Sequence, residues 1–159
     1  MAILGISTNT RLLGQAIIEQ GNLLDYSIRL HKSPWSASKA NKIIAGLEPC
    51  VRQYCIKSVV LSIPYAHHQT KEFRQLVACI KKYFEKKKIS ICSKAVQSLH
   101  SLYPAEQKKT KKALMEYLTT QYPQLTYCYY RELKNRKKYY IKIFEAVGAA
   151  ILYYKEQMR

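Results

Sequence analysis

The chain has 159 residues, with 27 Lys and Arg against 10 Asp and Glu, a net charge of +17 at pH 7. That length suits one domain with a real core, over residues 1–159. No apolar run approaches the ~18 residues of a membrane span, and no basic segment precedes an apolar stretch at the start as in a secretory leader.

The first residues, Ala2 to Gly14, are an apolar run, a polar Ser-Thr-Asn-Thr stretch and a second apolar run from Leu12. That pattern predicts a hairpin. The second strand, Leu13 to Glu19, ends at Gln20-Gly21-Asn22, a strong turn signal. Leu23 to Leu30 follows as a third strand, completing an antiparallel meander. After the break at Lys32 to Trp35, Ser36 or Ser38 can cap a helix bearing Ala40, Ile43, Ile44, Leu47, Val51 and Tyr54. Pro49 should kink that helix or split it.

Val59 to Ile63 is a short unbroken apolar run before Pro64, the pattern of a buried parallel strand. Thr70 can cap a helix carrying Phe73, Leu76, Val77, Ile80, Tyr83 and Phe84, and Ile89 to Cys92 is a further strand. The order β-β-β-α-β-α-β, followed by helices, predicts an α/β fold on a mixed five-stranded sheet. Beyond it, Ser93 is expected to cap a short helix, and Pro104 to begin a helix running through Leu118. Leu125 to Leu133 is ambiguous between strand and helix. A final helix should begin near Lys137, with Phe144 and Val147 facing the sheet.

The opening hairpin resembles that of the RNase H-like superfamily, and within it the RuvC type of Holliday-junction resolvase. It keeps Leu4-Gly5-Ile6, Arg11 and Gly14. With the strand order and the small residues of the last helix, the resemblance covers about residues 2–122 and 139–157. The YqgF-type branch matches nearly as well through Ser62-Ile63-Pro64, although its acidic strand-five motif would fall at Ser93-Lys94. RuvC-type nucleases use four carboxylates to hold two divalent metals. The resemblance places those positions at Ser7, Ser62, Glu145 and Gly148, so three of the four acids are missing. Asp25 and Glu19 lie too far along the meander to replace them, and Glu145 reads as a helix residue paired with a nearby Lys.

The remaining chemistry is sparse. Cys50, Cys55, Cys79, Cys92 and Cys128 are odd in number and form no Cys-x-x-Cys pair. They read as buried, reduced thiols of a cytoplasmic protein. His67-His68 stands at the usual active-site edge but has no Cys or acid at ligand spacing. No metal site and no cofactor are therefore expected.

The basic clusters are Lys81-Lys82, Lys86-Lys87-Lys88, Lys108-Lys109, Lys111-Lys112, and Arg131, Lys134, Arg136, Lys137 and Lys138. The last is interleaved with Tyr127, Tyr129, Tyr130, Tyr139 and Tyr140. Cations hold phosphate without reading sequence, and tyrosine faces can stack on unpaired bases. Solvated lysines and tyrosines that merely cover the core are the alternative. The expectation is a pseudoenzyme of the RuvC type that binds DNA or RNA sequence-tolerantly and has no membrane partner. The alternatives are a protein-interaction subunit, homodimeric as the resemblance implies, or a nuclease with relocated acids.

Overall fold

The computed structural model describes residues 1–159. Three antiparallel strands come first: β1 (Ala2–Thr8), β2 (Leu12–Glu19) and β3 (Asn22–Leu30). β4 (Ser58–Ile63) pairs parallel with β1, and β5 (Ser90–Ala95) pairs parallel with β4. The sheet order is β3-β2-β1-β4-β5. The β2–β3 turn needs positive φ at both of its residues, Gln20 (51°) and Gly21 (80°), as a two-residue hairpin matching the strand twist requires.

Alternation divides the strands between two layers. Leu4, Ile6, Leu13, Ile17, Val59 and Leu61 face helices α1 (Ala37–Ala45), α2 (Glu48–Gln53) and α3 (Lys71–Lys86). Ile3, Ala16, Ile18 and Val60 face α4 (Lys111–Gln121), α5 (Thr126–Lys134) and α6 (Ile141–Gln157). Ser36 caps α1 by accepting from the Lys39 amide at 3.0 Å. Thr70 caps α3 from the Phe73 amide at 3.1 Å. Pro49 splits the first helical pattern, standing in the first turn of α2, where its missing N–H is not needed. No helix is long and apolar enough to cross a membrane.

Several expectations fail downstream of β4. Ser93 lies inside β5 rather than capping a helix, and a 3-10 segment at Val96–Leu102 follows. Pro104 opens a turn, with the Gln107 amide donating to its carbonyl at 3.1 Å. Helix α4 starts only at Lys111, capped by Thr110. Lys108 and Lys109 are therefore loop residues. The ambiguous Leu125–Leu133 stretch is helical over α5, because Cys128 and Glu132, four residues apart, turn inward together. The last helix begins at Ile141, with Phe144 and Val147 fully buried. Of the thiols, Cys55 and Cys79 are exposed and all five are free.

Helix α6 sits unusually close to the sheet. A Cβ on Gly5 would stand 2.0 Å from the Ala146 carbonyl oxygen, and one on Gly14 would stand 2.5 Å from Lys142 backbone atoms. Both positions tolerate only glycine while the helix keeps this seat. That seat brings the N-terminal turns of α6 to the C-terminal ends of β1 and β4.

Candidate functional site

Ser7 of β1 and Ser62 of β4 are direct neighbours in the parallel register, and Lys94 of β5 continues the row. Both serines are buried. The Ser7 hydroxyl donates to Glu145 Oε1 at 2.9 Å. Lys142, one turn earlier on α6, donates to the same oxygen at 3.2 Å. Glu145 is thus buried with its charge matched and its geometry fixed. Ser62 Oγ has no partner, while Lys94 turns away to Glu156.

The fourth aligned position, Gly148, lies against apolar side chains. A side chain on Gly148 would meet the Leu99 and Leu102 methyls at 3.4 and 3.8 Å. An aspartate there would enter an apolar contact. Glu19 pairs with Ala2 at the opposite end of the sheet. Asp25 accepts from the Tyr54 hydroxyl of α2's C-terminus at 3.1 Å, on the other face. No group of three or more His, Cys, Asp or Glu side chains converges anywhere. A pair of divalent cations needs several charged oxygens. One carboxylate already engaged by Ser7 and Lys142, beside a neutral hydroxyl, does not fit such a pair.

Over Glu145 lies a cleft of about 420 Å³. Its walls are the β1–β2 turn, the segment after β4 and the starts of α3, α4 and α6. The turn is rigid: Asn9 Oδ1 accepts from the Arg11 and Leu12 amides at 2.8 and 2.7 Å, and Thr8 Oγ1 donates to the Leu12 carbonyl at 2.8 Å. Arg11, Lys111 and Lys142 supply three cations against the single carboxylate of Glu145. Partial desolvation pushes the Lys111 ammonium below its usual pKa; Glu145 opposes the shift, and Lys138 and Lys142 add to it. Such crowding of cations is relieved when an anion enters. His68 reaches the rim, its ring 4.1 Å from that of His67. Thr8, Thr10 and Thr70 line the cleft too.

The basic clusters divide. Lys81, Lys82, Lys86, Lys87 and Lys88 follow α3 away from the cleft, and Lys87 pairs with Glu48 at 2.8 Å. Lys108 and Lys112 border a separate shallow depression, where Lys112 approaches Glu116 at 4.0 Å. Lys109 is exposed beside them. By contrast Lys138 and Arg136 line a second cavity, of about 280 Å³, that shares Lys111 with the cleft. Lys137 is exposed next to them, and Arg131 and Lys134 lie on the exposed side of α5.

Glu132 is the residue that sequence reasoning missed. Its carboxylate accepts from the Tyr139, Tyr140 and Ile141 amides at 2.9–3.1 Å. Helix α6 has no side-chain cap or acid of its own at that end, so Glu132 satisfies it and complements its dipole from the preceding helix. It thereby sets the position of Lys142 and Glu145. The only signal was one acid within a strongly basic stretch.

This mixed sheet, flanked by helices on both faces and closed by a helix across the ends of its two central strands, is an RNase H-like fold of the RuvC type. Two solved structures of RuvC from Thermus thermophilus carry it over the whole chain. One, in complex with Holliday junction substrate, has a TM-score of 0.74 at 11% identity, over 99% of this chain and 96% of that one. The other has a TM-score of 0.68 at 11% identity, over 99% and 97%. No family model matches the sequence, and no curated protein matches it.

Proposed function

We propose that this chain is a RuvC-like protein that binds nucleic acid and does not cut it. The observation that carries the reading is the state of the cleft. Its single carboxylate, Glu145, is consumed by Ser7 and Lys142, while Arg11 and Lys111 face the same space. In a two-metal nuclease, carboxylates hold cations and the cations hold phosphate. Here lysine and arginine provide the positive charge directly, which favours phosphate but supplies no activated water. The net charge of +17 supports the same reading, as does the fold shared with a RuvC that is seen with a Holliday junction.

The test is a mobility-shift series with branched, duplex and single-stranded probes, alongside a cleavage assay in Mg²⁺ and Mn²⁺. Binding without cleavage is the expected result. With about five phosphates contacted, affinity should drop roughly a hundredfold or more between ~50 and ~200 mM salt. Absence of a shift with every probe at low salt would remove the reading in favour of a protein partner. Metal-dependent cleavage lost on Glu145→Gln would make the chain an enzyme.

A further inference from the structure

The solvent side of α5 has a composition that packing does not explain. Tyr127, Tyr130, Arg131 and Lys134 follow the i, i+3, i+4, i+7 spacing of a helix stripe, yet all four face water. Tyr127 and Tyr130 are 64% and 58% exposed. The helix is already anchored by Leu125, Cys128 and Glu132 on its other side, so the two rings contribute little to the core. They are held in place all the same. Arg131 lies over the Tyr127 ring at 5.9 Å, Tyr129 packs on Tyr130 at 5.3 Å, and Tyr140 meets the edge of Tyr127 at 6.4 Å.

We infer that this stripe is a stacking platform for unpaired bases of a single-stranded nucleic acid segment. The inference rests on the nucleic-acid reading above and adds to it the kind of strand bound. Charge complementarity selects the occupant. From Leu125 to Lys142 there are six cations and one acid, and that acid, Glu132, is buried and fully engaged by backbone amides. A protein partner with an apolar face would leave those cations unpaired. A nucleic acid strand supplies π-faces for the rings and phosphates for Arg131 and Lys134.

Continuity with the cleft supports the same occupant. The 280 Å³ cavity is lined by Met115, Ile141 and Leu133 of α5 together with Arg136, Lys138 and Lys111, the last shared with the cleft. A strand leaving the cleft past Lys111 therefore reaches α5, the helix that carries Tyr127 and Tyr130. A duplex keeps its base faces stacked on one another and can use only the cations along this route.

The experiment measures affinity of the full chain for a ~20-nucleotide oligothymidylate and for a duplex of equal length at ~50 mM salt. The double change Tyr127→Ala with Tyr130→Ala should weaken oligothymidylate binding by roughly tenfold or more. Duplex binding should stay within about twofold, because phosphate contacts are untouched. The changes Tyr127→Phe and Tyr130→Phe keep the rings and should restore the single-strand affinity. The exposure of both side chains keeps loss of fold from mimicking the result, and a thermal melt of each variant checks this.

Equal loss on both probes, no loss on either, or failure of the phenylalanine variants would overturn the inference while leaving nucleic-acid binding intact. Wild-type protein that binds the duplex but not oligothymidylate would do the same. A change in sedimentation with unchanged single-strand affinity would make the stripe a contact between copies of the chain. Wild-type protein that binds neither probe would remove both this inference and the reading beneath it.

Discussion

The two faces of the sheet are built on different principles. On the α1–α3 side, Leu4, Ile6, Ile17, Leu61, Leu76, Ile80 and Phe84 form a nearly continuous apolar layer. Its buried polar groups are few and partnered: Gln15 accepts from Arg29, and Lys39 donates to the Ser33 carbonyl. On the α6 side an equally apolar layer is interrupted where it matters, by Ser7, Ser62, Glu145 and Glu132. The first face supplies stability with no directional constraint. The second fixes one helix against the strand ends through Gly5, Gly14 and the Glu132 carboxylate, so that Lys142 and Glu145 keep defined positions.

The largest contrast to test is between Phe84→Ala and Glu132→Ala. Phe84 is fully buried, and its truncation should cost about 3–5 kcal/mol of stability, read as a lower denaturation midpoint. Under native conditions the folded fraction should still bind nucleic acid as the parent does. Glu132→Ala should cost less, about 2–3 kcal/mol, for charge-assisted bonds lost to three amides. It should nevertheless weaken nucleic-acid binding, because the start of α6 loses its anchor. Equal binding by the two variants would break the contrast.

That division also governs what could be read from the chain alone. The apolar face was legible: apolar runs on either side of a polar stretch marked β1 and β2, Gln20-Gly21 marked the turn into β3, and Pro49 marked the split between α1 and α2. That Ser7, Ser62 and Glu145 lie together follows from strand order and hairpin spacing, both of which the sequence carries. Less legible was what surrounds Gly148, since the methyls of Leu99 and Leu102 that a Cβ there would touch come from Val96–Leu102, whose 3-10 fold no local pattern announces. There the local signals misled. Pro104 suits a helix start, but the Thr110 side chain, accepting from the Ala113 amide at 3.1 Å, is the cap the chain uses. The tyrosines of α5 favour strand by propensity, yet inward placement of Cys128 and Glu132 overrides it. Glu132 itself acts across an interhelical loop, beyond any local pattern.

The next sharpest probe restores acids where the register brings them together. Ser7→Asp with Ser62→Glu adds two carboxylates beside Glu145, whose Oε1 already lies 2.9 Å from Ser7 Oγ. Without metal, mutual repulsion in a buried site should destabilise the variant by about 2 kcal/mol. Millimolar Mn²⁺ should recover part of that loss, since a ligand that binds only the folded state stabilises it. The parent protein should show no such response. A variant equally indifferent to Mn²⁺ would mean the three positions do not share one coordination space.

A smaller effect separates charge from metal chemistry at the same spot. Glu145→Gln keeps an acceptor for Ser7 but frees the Lys142 charge. Nucleic-acid affinity should rise several-fold at low salt, and the slope of log affinity against log salt should steepen by about one. In a metal-dependent site the same change would weaken the complex. Filter binding over a salt series distinguishes the two signs directly.

The smallest effect concerns one histidine on each face. His31 has a pKa below the ordinary 6.5 because of burial first, then Arg29 and Lys39. His100 is lowered by burial first, then Lys109. A depressed folded pKa means the unfolded chain binds more protons as the pH drops through 6.5. Stability is therefore fully present above that value, and it falls until the folded pKa is passed. Thermal midpoints should decline slightly from pH 7 to about pH 5.5, a range in which unperturbed carboxylates remain largely ionised. Replacing both histidines by glutamine should flatten the decline. Because burial is the leading cause at both sites, ~0.5 M salt should leave most of the slope in place, whereas the same salt should abolish binding through Arg11, Lys111 and the α5 stripe. A pH slope that vanished with salt would mean that exposed lysines, not burial, set the histidine protonation on both faces.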